Sequence, residues 1–208
     1  MTAVTRPSPE QVLGLMKSRR VCRSFTDEPV PVEALRQLTE AGRWASSASN
    51  RHLHKFLVVR DPTTIRRVRS VSPGMLTPPP AMIVILTDLE VAARESLQFG
   101  KDHSDFMDVG TAAMNMMLMA QALGLGSCPV TSFSQSGVAA MLQLPPHMIP
   151  EWILIVGHPK PQERGLRSGA PRPVTARDLT YWEAIDQHDP APEVERGPSD
   201  HQPSAGRT

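Results

Sequence analysis

Arg19-Arg20-Val21-Cys22-Arg23-Ser24-Phe25, then Pro29-Val30-Pro31, then Ala45-Ser46-Ser47-Ala48-Ser49-Asn50, is the stretch on which the reading of this chain turns. Upstream, Ser8-Pro9-Glu10-Gln11 combines an N-cap, a proline at the first helical position and a glutamine three residues after the cap, so a helix is predicted from there to about Lys17. Lys17, Arg19, Arg20 and Arg23 therefore gather where a helix ends and an extended piece begins. A helix dipole favours cations at its C-terminus, which by itself accounts for such a cluster. Several guanidinium groups in one place also make an anion site, because each can hold a phosphate by paired hydrogen bonds. Charge alone leaves both readings open.

Outward from this segment, Pro31 announces a second helix on which Ala34, Leu35, Leu38 and Ala41 recur along one face, and the Ser-rich run 46–50 reads as a loop. Residues 56–59, 82–86 and 152–156 are short aliphatic runs bounded by turn residues, each a candidate buried strand of a central mixed sheet. Asp61-Pro62 opens a short helix by the same cap-then-proline logic, and Ser72-Pro73-Gly74 with Pro78-Pro79-Pro80 makes an irregular connection suited to a lid. Residues 105–123 are apolar almost all round, with small residues Gly110, Ala112 and Ala113, as expected of a helix buried at a subunit interface. Gly124 and Gly126 end it, residues 128–130 form a short strand, and Ser136 is placed to cap a further small helix. The tail 186–208 has almost no large apolar residue with which to offset its ordering entropy, so it is expected to be disordered, leaving one domain over residues 1–185.

Composition narrows the function classes. The core must be aliphatic, since 40% of residues are hydrophobic but only 4% aromatic. A net charge of +1, from 22 basic and 21 acidic residues, argues against a surface that traps nucleic acid, and Arg66-Arg67 with Arg69 brings no recognition element. Cys22 and Cys128 match no metal or redox spacing and read as reduced thiols. The polar amino terminus shows no apolar stretch like an export signal, so a cytoplasmic location is expected, and the apolar stretch 109–125 is too broken by Gly110, Thr111, Asn115 and Gln121 to be expected to span a membrane.

The order of these pieces, more than any one of them, resembles the nitroreductase family. That family has an Arg-rich stretch, a Pro-Val-Pro helix start and a Pro-Ser-x-x-Asn-x-Gln-Pro-Trp segment at these spacings. Asp108-Val109-Gly110, Asn115, the run 122–128 and Val156-Gly157-His158-Pro159 continue the likeness, which covers roughly residues 12–185. The resemblance implies an α+β fold, a nitroreductase-like α/β sandwich with a central mixed sheet flanked by helices and built as an intertwined homodimer. It also implies FMN as cofactor and NAD(P)H as reductant.

Carried over by position, the resemblance implies that Arg19 binds the FMN phosphate and Arg23 reaches the pyrimidine edge of the flavin. Arg20 belongs to the same cofactor-binding cluster without a separate role. Ser46, Ser47 and Asn50 would complete the ribityl and ring contacts from the partner subunit. Arg172 would close on the phosphate, and the main chain at Thr131 and Ser132 would face flavin N5. Val21 stands where the family often has Ser, and Ser46 where it has Pro. His52-Leu53-His54 replaces Gln-Pro-Trp. Alternating residues of an extended chain share a side, so His52 and His54 are candidates for handling protons near neutral pH, beside the plainer reading of surface or interface histidines. No further His or Cys lies near them in sequence, so no metal site is expected.

Three functions fit this reading. The first is an FMN enzyme that passes hydride from NADH or NADPH through flavin N5 to a small acceptor such as a nitroaromatic or quinone. The second is an FMN-dependent oxidase or dehydrogenase of a biosynthetic small molecule, similar to cyclic-dipeptide oxidase subunits, which would form hydrogen peroxide without nicotinamide. The third is a flavin-sequestering protein without turnover.

Overall fold

The capping box at Ser8 forms as its spacing predicts. The Ser8 hydroxyl accepts from the Gln11 N–H and the Gln11 side chain accepts from the Ser8 N–H, starting α1 (Pro9–Ser18). Pro31 precedes α2 (Val32–Arg43), whose Leu35 and Leu38 are buried as the periodicity requires. The chain continues through β1 (His54–Val59), α3 (Pro62–Ser70), β2 (Ala81–Asp88), α4 (Leu89–Arg94), α5 (Ser104–Ala122), β3 (Gly126–Val130), α6 (Gln135–Leu142), β4 (Met148–Gly157) and the short α7 (Ala176–Leu179). The structure is a computed structural model, and it describes residues 6–47, 50, 53–94, 104–161 and 175–181. The chain divides into two compact units between Pro161 and Gln162, of which the second contains α7. The expected domain limit at 185 and the tail 186–208 lie outside the described residues.

Asp61 caps α3 through its carboxylate, which accepts from the Thr64 hydroxyl and N–H; these bonds hold the carboxyl below its ordinary pKa, the hydroxyl first. The α6 cap is Ser134, not Ser136: the Ser134 hydroxyl accepts from the Gly137 N–H, while Ser136 already lies inside the first turn. Both serines precede the same apolar run, and only the backbone path selects between them. Gly124 ends α5 in the left-handed region at φ 71°, with the Leu125 N–H donating back to the Ala120 carbonyl.

The four strands lie in the order β1-β2-β4-β3. All three strand pairings are antiparallel, and among the described residues the parallel element of the expected mixed sheet is the single bridge Val21 to Ser127. The difference has a physical source. Every residue of β2 is buried, and an unbroken apolar run is the mark of a strand covered on both faces, which parallel strands usually are. Here an antiparallel sheet is covered on both faces. On one, α2 and α5 pack over Ala81, Ile83, Ile85, Leu154 and Val156. On the other, Ile65 and Val68 of α3 and Val138 of α6 meet Met82, Val84, Ile153 and Ile155.

Within the single chain α5 is not enclosed on every side. Val109, Ala112, Ala113, Met116 and Ala120 are buried, whereas Met107 and Met114 are exposed. A side-chain bond from Asn115 to the Ala41 carbonyl ties α5 to α2, and Gly42 lets them meet closely, since a Cβ there would lie 2.3 Å from Met116 and 2.9 Å from Phe56. α1 buries none of its residues, and its Val12, Leu13 and Met16 face outward.

Gly126 and Gly157 are paired across β3 and β4, and both lie beneath the Arg19–Phe25 segment. A Cβ on Gly126 would stand 2.7 Å from the Cys22 side chain, and one on Gly157 2.6 Å from the Pro80 ring and 2.9 Å from Phe25. Gly126→Ala and Gly157→Ala are each expected to destabilise the protein by about 1–3 kcal/mol through overpacking, measured by urea denaturation.

Candidate functional site

The Arg-rich segment owes its course to backbone bonds with the ends of two strands. The Cys22 N–H donates to the Ser127 carbonyl at 2.9 Å, Thr26 to His158 at 2.9 Å, and Lys160 to Ser24 at 3.1 Å. Phe25, only 6% exposed, drives the docking by burying its ring over the Gly126–Gly157 pair. The segment thus crosses the sheet end as a strap, with Arg19 at one end and Arg23 toward the other.

The three arginines differ in what they touch. Arg20 turns back on α1 and donates to the Lys17 and Arg19 carbonyls, satisfying acceptors that every helix end leaves open. Arg19 is the C-cap residue of α1 and half-buried, and Arg23 is exposed. Among the described residues neither guanidinium has an acidic partner or a hydrogen-bond acceptor. Two cations are therefore held in place by their backbone while their charged ends stay uncommitted, which is the donor set that an anionic phosphate and an electron-rich ring edge require.

Thr131 and Ser132 follow β3 directly and are exposed. The Ser132 carbonyl accepts from the Gly74 N–H at 3.0 Å, so this main chain is tied to the connection between α3 and β2. That connection reaches the arginine strap as well, because the Thr77 hydroxyl donates to the Arg23 carbonyl at 2.5 Å. Arg23 and Ser132, predicted from opposite parts of the sequence, are thus joined through one loop.

Ser46 and Ser47 leave the end of α2, and the Ser46 carbonyl accepts from Thr111 of α5 at 3.2 Å. Asn50 takes a left-handed backbone at φ 56° and its N–H donates to the Ser47 carbonyl at 2.9 Å. The exit from α2 is stiffened by Glu40, which binds both Arg43 and the Trp44 indole N–H; these bonds, Arg43 first, hold its carboxyl down at about 2. His54 opens β1, is buried at 7% exposure, and places its ring 5.2 Å from that of Phe56. His52 and Arg172 lie outside the described residues. Among the described residues no group of three or more His, Cys, Asp or Glu could hold a metal, and no helix is long and apolar enough to cross a membrane. Burial raises the Cys128 thiol above its ordinary pKa, so it stays an inert thiol.

Several contributors escape a reading by motif. Thr77 acts on the Arg23 carbonyl across the fold, and Arg69 on the carbonyls of Met75 and Leu76 in the loop that follows its own helix; no local pattern announces either. Phe25, Gly126 and Gly157 carry a signal in hindsight: two glycines flanking apolar strands mark a close approach, and Phe25 is the largest apolar residue of a strap that also carries Val21 and Cys22.

The α+β fold that carries this strap is shared with solved nitroreductase structures. The chain belongs to the Nitroreductase family, whose model matches residues 16–77 and 71–158. A nitroreductase family protein of Clostridium difficile 630 superposes with a TM-score of 0.68 at 23% identity, over 82% of this chain and 97% of that one. NfrA1 of B. megaterium superposes with a TM-score of 0.67 at 25% identity, over 83% of this chain and 74% of its own. In sequence the chain is 29% identical to a Thermus thermophilus protein named NADH dehydrogenase, over 68% of this chain and 83% of that one. It is 25% identical to the FMN reductase [NAD(P)H] of Bacillus subtilis, over 72% and 66% respectively.

Phe25→Ala is expected to cost about 3–5 kcal/mol, as truncation of a buried aromatic does. Because the ring holds the strap down, the variant should also be cut by trypsin at Arg19, Arg20 and Arg23 well before the parent is. Parental cleavage kinetics at these sites would show that the backbone bonds hold the strap unaided.

Proposed function

We propose that the protein is an FMN-dependent oxidoreductase that takes hydride from NADH or NADPH and delivers it to a small acceptor such as a nitroaromatic or a quinone. The observation that carries this reading is the pair of uncommitted guanidinium groups, Arg19 and Arg23, on a rigid strap. FMN reductases and NADPH-dependent oxidoreductases among the relatives support the choice of cofactor and reductant.

In this reading Arg19 grips the phosphate by charge-assisted bonds. Arg23 holds a fixed positive charge at the pyrimidine edge of the ring, where reduction places negative charge. Arg20 stays with its helix end and keeps the strap's entry in shape. The main chain at Thr131 and Ser132 would face flavin N5. Bound there, FMN supplies a hydride acceptor and donor at N5, so the chain's own task is to position it and leave one face open.

Ser46, Ser47 and Asn50 serve the site of a partner subunit in a homodimer. The exposed apolar residues of α1 and α5, Val12, Leu13, Met16, Met107 and Met114, support that assembly, since a helix that buries nothing in its own chain gains its stabilisation from another. The cytoplasm is the proposed location.

The purified protein is expected to be yellow and to bleach rapidly when NADH or NADPH is added without oxygen. A colourless protein that takes up no added FMN would overturn the proposal, and peroxide formation from substrate without nicotinamide would replace it by an oxidase. Arg19→Ala should weaken FMN binding about 10- to 100-fold, the worth of charge-assisted hydrogen bonds, by fluorescence titration. Parental affinity would remove the phosphate assignment.

His52 and His54 are proposed to handle protons at the acceptor. His54→Ala is expected to lower turnover at least about 100-fold with FMN still bound, as loss of a general acid or base does. Unchanged turnover would assign the ring to packing against Phe56.

A further inference from the structure

The connection between α3 and β2, which the sequence suggests as a lid, is braced at each end of its course. Gly74 donates to the Ser132 carbonyl, and the Thr77 hydroxyl donates to the Arg23 carbonyl. Between these two points the Arg69 guanidinium donates from Nε to the Met75 carbonyl at 3.1 Å and from Nη2 to the Leu76 carbonyl at 2.9 Å. Two carbonyls taken by one planar fork fix their peptide planes relative to the α3 backbone, which a single flexible donor cannot do.

Burial holds this loop at Met75 and again at Pro79, but not between them. Met75 is enclosed at 2% exposure, but Leu76 is 62% exposed, and Thr77 and Pro78 also face outward. The course of residues 76–78 rests on the polar bonds of Arg69 and Thr77. Gly74 sits against Ser132 with no room to spare, since a Cβ would come within 3.2 Å of the Ser132 carbonyl and 3.1 Å of Val130. The loop is a spacer of defined length between the main chain at Ser132 and the main chain at Arg23.

We propose that Arg69 and Thr77 are positioning residues of the flavin site: Arg69 locks the loop, and Thr77 transmits its position to the Arg23 backbone, which sets where the Arg23 charge meets the ring. This rests on the assignment of Arg23 to the flavin edge made above. Neither residue touches the cofactor. Their effect reaches it through the Arg23 carbonyl at one end and, through Gly74, the Ser132 carbonyl at the other.

The test compares Thr77→Val, Thr77→Ser, Arg69→Gln and Arg23→Ala as FMN-loaded proteins, reading FMN affinity and the flavin reduction potential. Thr77 is exposed and valine is its near isostere, so that variant folds. Thr77→Val and Arg69→Gln are each expected to weaken FMN binding by about 3- to 10-fold, no more than the worth of one hydrogen bond because neither residue touches the cofactor itself. They should also move the potential to more negative values, in the same direction as Arg23→Ala, because a misplaced cation stabilises the reduced flavin less. Thr77→Ser, which keeps the hydroxyl, should restore parental values. A general loss of stability would not move the potential. If Arg23→Ala shifts potential and affinity while Thr77→Val and Arg69→Gln match the parent, the loop does not position Arg23 and the proposal falls. If Arg23→Ala itself matches the parent in both readouts, the Arg23 assignment fails, and the proposal with it, by a different signature.

Discussion

The burial of Phe25 over two cross-strand glycines is the contact on which the site depends. An extended segment with four cations in and around it has no reason of its own to lie on a sheet, because its charges favour water. One aromatic ring, enclosed where Gly126 and Gly157 leave room, supplies the largest share of the apolar burial, worth about 1.5–3 kcal/mol for a side chain of this size, beside the half-buried Val21 and Cys22. The backbone bonds to Ser127, His158 and Lys160 then set its register. With the backbone fixed, Arg19 and Arg23 keep their guanidinium groups free of partners among the described residues while their backbone is held at the root. That separation between what anchors a residue and what it offers is the condition for preorganised binding.

The same contact orders the neighbouring elements. Pro80 packs against Gly157, so the loop that enters β2 is seated by the same glycine that admits Phe25. From that seat the loop runs back past Thr77 and the Arg69 fork to Gly74 and Ser132. The strap, the loop and the end of β3 form one continuous rim, made mostly of main-chain bonds. Side chains on such a rim can be exchanged for chemistry while the backbone geometry persists. This accounts for Val21 occupying a position where the family often has Ser: its backbone still bridges to Ser127.

Elements with a local physical cause were legible in the residues. Ser8 and Asp61 cap because each precedes a proline and offers an oxygen at the right offset, and Leu35 and Leu38 face inward because their spacing is that of a helix. Gly124 ends α5 because it alone accepts φ 71° there without strain. Strand direction was not legible, since an apolar run covered on both faces looks the same in a parallel and an antiparallel sheet. Ser134 and Ser136 were indistinguishable as caps for a similar reason, both being small polar residues before one apolar run. On α5 the hydrophobicity announced burial all round, but within one chain Met107 and Met114 stay open. Composition reports that a surface is to be covered and says nothing of whose chain covers it.

For the site, the sequence by itself determined that cations would collect after the first helix, in an order of segments that belongs to one family, because helix caps, periodicity and spacing are local properties. Only the tertiary structure decided which cation does what. Arg20 is adjacent to Arg19 and identical to it in chemistry, yet it folds back on the Lys17 and Arg19 carbonyls, while the Arg19 and Arg23 guanidinium groups meet no acceptor among the described residues. It also decided that Arg69 and Thr77 brace the rim. Side-chain bonds to main-chain carbonyls, near in sequence for Arg69 and distant for Thr77, require only that donor and acceptor meet, and where they meet is set by the packing of the chain.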